Sequence, residues 1–242
     1  MTVTARAIPM LSDNYAWLLT DSATGTIGLV DPAEAAPALA VLNAEGKALD
    51  FIFLTHHHPD HIGGVPELVA RYHPKVVGNG ADSARLPQLD IATHEGSLVA
   101  FGDANIRVIE TPGHTLGHVA YYLADGGILL PGDTLFSLGC GRLFEGTAAQ
   151  MFGSLARFRD LPDSTLVCAG HEYTASNARF ALSVDPDNET LQARAQEVVA
   201  RRARNLPTLP ITLGQERSSN PFLRAKTEEE FAALRRDKDN FQ

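Results

Sequence analysis

Only two cysteines occur in the 242 residues, Cys140 and Cys168, and they form no CxxC pair. That excludes a disulfide framework and reads instead as two packed thiols in a reducing cytosol. Basic residues are in the minority, 20 Lys and Arg against 29 Asp and Glu, for a net charge of −9. This balance argues against nucleic acid or an anionic membrane as partner. No apolar run approaches the roughly 20 residues of a transmembrane helix. The first ten residues have neither a basic stretch followed by an apolar core nor an Arg/Ser-rich composition, so no targeting segment is read there. The expectation is a cytoplasmic monomer. Aromatics are few, at 7%, but hydrophobic residues reach 44%, an ordinary globular composition with enough length for one large or two small domains.

What is present is organised in two textures. Up to about residue 172, short apolar runs alternate with turns and a few helices. Strands are expected at 15–20, 26–30, 49–54, near 76–77, and at 97–101, 106–109, 118–123, 128–130 and 165–168. Helices are expected at 34–44, 63–72 and 150–159, with Pro37 tolerable only near a first turn. From residue 173 the strand-like runs stop. Segments 174–182, 189–205 and 227–239 read as helices, with a Pro-rich connector at 206–210. The division expected is an α/β domain over 1–172 and a small helical domain over 173–242.

Histidine is the residue in excess, with nine copies. Apolar runs end in Thr55-His56-His57-His58-Pro59-Asp60-His61, in Thr111-Pro112-Gly113-His114, in Pro131-Gly132-Asp133 and in Ala169-Gly170-His171. Strand ends converging on one rim are where α/β folds place their chemistry. In an extended segment residues two apart face the same way, so His56 and His58 can hold one ion while His57 points elsewhere. Pro59 bends the chain and turns Asp60 and His61 toward a second position. Imidazole and carboxylate donors suit zinc, iron or manganese, and Asp133, with two oxygens, could bridge ions about 3.5–4 Å apart. His73 and His94 read as surface residues, and His118 as support for the site or the core.

These motifs resemble those of metallo-β-lactamase-fold hydrolases, which implies a four-layered αββα sandwich. Several further segments narrow the resemblance to the glyoxalase II family, the hydroxyacylglutathione hydrolases. They are residues 8–15, Gly132-Asp133-Thr134-Leu135-Phe136, Gly139-Cys140-Gly141-Arg142-Leu143-Phe144-Glu145-Gly146, Gly170-His171-Glu172-Tyr173-Thr174, Asn220-Pro221-Phe222-Leu223-Arg224 and 235–241. The resemblance implies one metal on His56, His58 and His114, a second on Asp60, His61 and His171, and Asp133 bridging both. It implies glutathione contacts at Arg142, Tyr173 and Arg224, with Lys226 as the following lysine. Phe144 stands where many members carry tyrosine, which removes a hydroxyl donor.

The implied reaction is hydrolysis of S-D-lactoylglutathione to D-lactate and glutathione, the second step of methylglyoxal detoxification. A hydroxide bridging two metal ions, most simply zinc, would attack the thioester carbonyl, oriented by Asp60 and Asp133. Arg142, Arg224 and Lys226 would supply the cationic patch that glutathione's carboxylates need. The main alternative is a glutathione persulfide dioxygenase with mononuclear iron, against which the complete second donor set stands. A β-lactamase or lactonase, and a nucleic-acid-processing relative, are the remaining competitors. The latter rests only on Arg201-Arg202-Ala203-Arg204, more simply the basic end of a helix.

Overall fold

A computed structural model describes residues 3–241. The chain forms β1 (Val3–Met10), β2 (Asn14–Asp21), β3 (Ile27–Val30), α1 (Ala35–Glu45), β4 (Phe51–Phe53), α2 (Pro59–Ile62), α3 (Val65–Tyr72), β5 (Lys75–Asn79) and β6 (Ile91–Thr93). It continues with β7 (Leu98–Phe101), β8 (Ala104–Glu110), β9 (Val119–Leu123), β10 (Ile128–Leu130), β11 (Leu135–Phe136), β12 (Gly139–Cys140), α4 (Ala148–Ala156) and β13 (Leu166–Val167). The last part holds α5 (Thr174–Val184), α6 (Glu189–Arg202), β14 (Ile211–Thr212), α7 (Leu213–Ser219), α8 (Pro221–Arg224) and α9 (Glu228–Asp239).

Two six-stranded sheets run in the orders β1-β2-β3-β4-β5-β6 and β14-β13-β10-β9-β8-β7. Alternation along the strands sorts their side chains between two cores. Tyr15, Trp17 and Leu19 of β2 turn inward with Phe53 and Val77, meeting Ile106, Val108, Tyr121 and Leu129 of the second sheet. Ala16 and Leu18 turn the other way, with Leu29 and Ile52, onto Ala38 and Leu42 of α1 and Leu68 of α3. On the far side Met151 and Leu155 of α4 and Phe231 of α9 close the second sheet. The layers are therefore α, β, β, α, as the motifs implied.

The helices end where local chemistry ends them. Gly46, in the left-handed region at φ 62°, terminates α1, in which Pro37 occupies the first turn. Thr147 and Gln150 form a reciprocal capping box at α4. Three parts of the sequence reading change. Strands β1 and β6 were not expected, because β1 alternates Arg6 and Pro9 with small residues and β6 is three residues long. Helix α3 starts at Val65, since a separate single turn beginning at Pro59 carries Asp60 and His61. Strand-like structure does not stop at 173: Ile211–Thr212 pairs antiparallel with β13, so the C-terminal part adds an edge to the second sheet.

Candidate metal centre

The C-terminal ends of β4, β8, β10 and β13 open onto one rim, and each loop that follows delivers a donor. His56 Nε2 lies 3.1 Å from His58 Nδ1, and His114 Nε2 lies 3.0 Å from the same atom. Beside them His61 Nε2 is 3.2 Å from His171 Nε2, with Asp60 Oδ2 3.4 Å from His171 and 3.7 Å from His61. Asp133 stands between the groups: Oδ2 is 3.4 Å from His114 and 3.5 Å from His171, and Oδ1 is 3.4 Å from His61. All seven residues expected as ligands are thus brought together.

Hydrogen bonds on the outer side determine which nitrogen carries the lone pair. His61 donates through Nδ1 to Asp31, His171 to Asp13, and His114 to the carbonyl of Arg142. Thr55 Oγ1 donates to the Asp31 carboxylate, so it is free to accept from His56 Nδ1 at 3.0 Å. Four Nε2 atoms are thereby turned inward, the arrangement outer partners impose on metal-binding histidines. Burial pushes His56 well below the ordinary histidine range, and burial likewise lowers His58 and His114, so these imidazoles are neutral. Neutral lone pairs facing each other near 3 Å repel unless a cation lies between them.

The other half carries negative charge. Burial lowers His61, but the carboxylates of Asp133, Asp31 and Asp60 outweigh it and raise this group to about 9. Burial would raise Asp133, yet His61 and His171 hold it well below the usual carboxylate range. Asp133 Oδ1 is buried with no hydrogen-bond donor. An orphaned carboxylate oxygen among inward-facing imidazole nitrogens is the environment a divalent cation satisfies, so the residues fit a metal centre.

Support residues complete the site: His118, expected as such, and Gly132, Asn14 and Asp31, which sequence reasoning left without a role. His118 Nε2 accepts the Asp133 backbone N–H at 3.1 Å, while its Nδ1 meets Thr111 Oγ1. Gly132 has φ 50°, and a Cβ there would lie 2.6 Å from Thr55 Oγ1, so only glycine lets the chain turn into Asp133. Asn14 Nδ2 donates to both the carbonyl and the carboxylate of Asp60. Asp31, which closes the apolar run 27–30, obeys the same strand-end pattern as the ligands and could have been found by it.

A cavity of about 650 Å³ opens on this centre, and Arg142, Phe144 and Tyr173 line it. The Tyr173 ring stacks on His171 at 4.6 Å and 9°, while Phe144 stands edge-on to His58 and His114. Arg224 and Lys226 do not line it. The Arg224 guanidinium donates to the Ser218 carbonyl and lies 3.4 Å from Asp185, and the Lys226 backbone donates to Glu230. Arg235 and Lys238, one α-helical turn apart on α9, line it instead. Burial, and then the positive charges of Arg235, Arg179 and Arg142, hold Lys238 down to about 8. Asp239, ion-paired with Arg235 at 2.8 Å, offsets only part of this. The pattern Arg235-Arg236-Asp237-Lys238 was visible in the sequence, but only the packing of α9 brings Arg235 and Lys238 to the cavity.

The chain matches two family models, the metallo-beta-lactamase superfamily over residues 11–171 and the hydroxyacylglutathione hydrolase C-terminus over 172–241. It is 52% identical over 238 residues to a hydroxyacylglutathione hydrolase of Acidiphilium cryptum, covering 98% of this chain and 97% of that one. Identity to the Ruegeria pomeroyi hydroxyacylglutathione hydrolase is 53% over 218 residues, covering 90% and 86%. Among solved structures it resembles ETHE1 from Myxococcus xanthus, with a TM-score of 0.73, 26% identity and coverage of 97% and 90%. By sequence and by fold, the chain belongs to the hydroxyacylglutathione hydrolase family of the metallo-beta-lactamase superfamily.

Proposed function

We propose that this chain hydrolyses S-D-lactoylglutathione to D-lactate and glutathione. Two divalent cations, zinc before iron or manganese, would be held by His56, His58 and His114, by Asp60, His61 and His171, and by Asp133 between them. The observation that carries the reading is the buried, partnerless Oδ1 of Asp133 beside a cavity lined by Arg142, Arg235 and Lys238. Such cations, when bound, supply Lewis acidity and lower the pKa of water from 15.7 to roughly 7.

The chain's own residues do the rest. Asp60, half exposed and tethered by Asn14, offers a carboxylate that accepts a proton from water and orients it toward the thioester carbonyl. Arg142 and Lys238 bind the glutathione carboxylates, and Arg235 adds to the positive field from behind them. Tyr173 and Phe136 form an aromatic wall against the substrate chain. Water adds to the carbonyl carbon, the carbon–sulfur bond breaks, and the thiolate departs without a strong general acid. Residues 1–172 act as the catalytic domain and 173–242 as the substrate-binding domain, in a cytoplasmic monomer. Two unpaired buried thiols accord with a reducing compartment, and among the described residues no helix is long and apolar enough to cross a membrane.

The test is a steady-state assay with S-D-lactoylglutathione, glutathione persulfide and a β-lactam on protein of measured metal content. Thioester turnover that is lost on chelation and restored by metal is expected. His171→Ala is expected to lose one metal per chain and about a hundredfold or more in kcat/KM. Oxygen consumption with the persulfide, at one iron per chain and without thioester turnover, would favour the dioxygenase reading instead.

A further inference from the structure

Glu145 directly follows the loop segment that carries Arg142 and Phe144, and its carboxylate is used several times over. Oε2 accepts the backbone N–H of Leu116 at 2.7 Å, two residues past His114. The same carboxylate takes both terminal nitrogens of Arg85, a bidentate pair. Arg85 Nε donates to Asp82, which is buried and also meets His57 Nδ1 at 3.1 Å. His57 Nε2 is 3.6 Å from Glu145, so four side chains close a ring. None of the four lines the cavity.

The ring ties the turn after β5 to two loops that already run side by side. Phe144 N–H donates to the His114 carbonyl at 3.2 Å and Gly146 N–H to the Gly113 carbonyl at 3.0 Å. The Arg142 carbonyl accepts from His114 Nδ1. That ladder joins the substrate loop to the ligand loop, but both would still move as one unit. Arg85 anchors the unit to Asp82, which packs so closely that a Cβ on Gly117 would lie 2.5 Å from it.

We propose that the Arg85–Glu145 pair is a positioning device for substrate: it holds loop 142–146 so that Arg142 and Phe144 face the cavity, setting substrate affinity without holding metal. The inference rests on the glutathione thioesterase reading above. Arg85 and Glu145 side chains are 41% and 25% exposed, and ion pairs that open to solvent contribute little to global stability. What the pair decides is where the loop sits. His57, which spacing assigns to neither metal, thereby has a use, as the bridge from Asp82 to Glu145.

The experiment compares Glu145→Ala, Glu145→Gln, Arg85→Ala and the Arg85→Ala/Glu145→Ala double variant, all as metal-loaded full chains. Glu145→Ala and Arg85→Ala are each expected to raise KM about tenfold with kcat changed less than about threefold. Glu145→Gln, whose single oxygen can still accept from Leu116 and Arg85 Nη2 but not from Nη1, recovers part of the affinity. The double variant is no worse than either single one, because both remove the same contact. Calorimetric binding of glutathione weakens by the same factor, while metal content and competition with a chelator stay at the wild-type level. Unchanged glutathione affinity in both single variants, additive losses in the double one, or metal loss that tracks the KM change would each overturn the proposal. A wild type that binds glutathione yet leaves the thioester intact would sink the proposed reaction, and the affinity comparison would still decide the role of the pair.

Discussion

The Asp31 carboxylate accepts the Nδ1 hydrogen of His61 at 3.0 Å and, on the same side chain, the backbone N–H and hydroxyl of Thr55. One buried residue thus orients a donor of each metal group, His61 directly and His56 through Thr55. Asp31 adopts φ 51°, a left-handed conformation that aspartate tolerates better than most residues.

Asp31→Asn presents an amide N–H to groups that are themselves donors, so it should misorient His61 while leaving the fold intact. The expected result is a 10- to 100-fold loss of affinity for one of the two metals, of the size found for outer partners of metal-bound histidines (about 10–100-fold). Chelator competition measures it, and affinities equal to the wild type's would rule out the role.

Lys238 titrates near 8, and only its charged form attracts a carboxylate. Its ordinary value is 10.5, so burial and the neighbouring cations have moved the loss of charge down toward neutrality. KM for the thioester should therefore be flat below pH 7 and climb as the pH passes through about 8. Lys238→Ala should start about tenfold higher and lack that inflection. A KM profile with the same inflection in both proteins would assign the titration to another group.

Glu216 is fully buried, where burial raises its carboxyl above the usual 4.5 although Leu138, Ser137 and Asn220 hydrogen bonds and the Arg194 charge oppose the shift. It holds the turn between β11 and β12, whose Phe136 and Cys140 line the cavity. An acid whose folded pKa exceeds its unfolded one binds its proton more tightly when folded. Its contribution to stability is full below about 4.5 and is lost as the pH rises through the folded value. Glu216→Gln can keep all three partners by donating to Ser137 and accepting from Leu138 and Asn220. Urea titrations should show the wild type gaining stability relative to Glu216→Gln as the pH falls from neutrality toward 4.5. Glu216→Ala should cost about 2–4 kcal/mol, since it strands two buried donors. A pH-independent difference between wild type and the glutamine variant would contradict the raised carboxyl.

Much of the centre was legible because its donors follow apolar strands with few residues between, so local spacing and proximity at the sheet rim coincide. His56, His58, His114, Asp133 and His171 all obey that rule. Arg224 and Lys226, expected on the cationic side, do not line the cavity: a short helix and an ion pair to Asp185 hold Arg224 elsewhere, and Lys226 follows that helix. Helical periodicity alone does not say which face of α9 is buried, and Arg235 and Lys238 were quoted as motif but given no task. Strand β14 was missed for a similar reason: two residues after a Pro-rich connector carry no period of their own and become a strand only by pairing with β13.

The sequence by itself determined the chemistry of the donors, through short-range spacing at strand ends, and its motifs implied the αββα layering and the family by their resemblance to glyoxalase II. Only the tertiary structure decided which nitrogens face inward, that Asp133 stands between two donor groups, and that α9 rather than residues 224–226 supplies the cations. Those facts depend on contacts between residues such as Asp31 and His61, or Asp13 and His171, that are far apart along the chain and meet only when both sheets have packed.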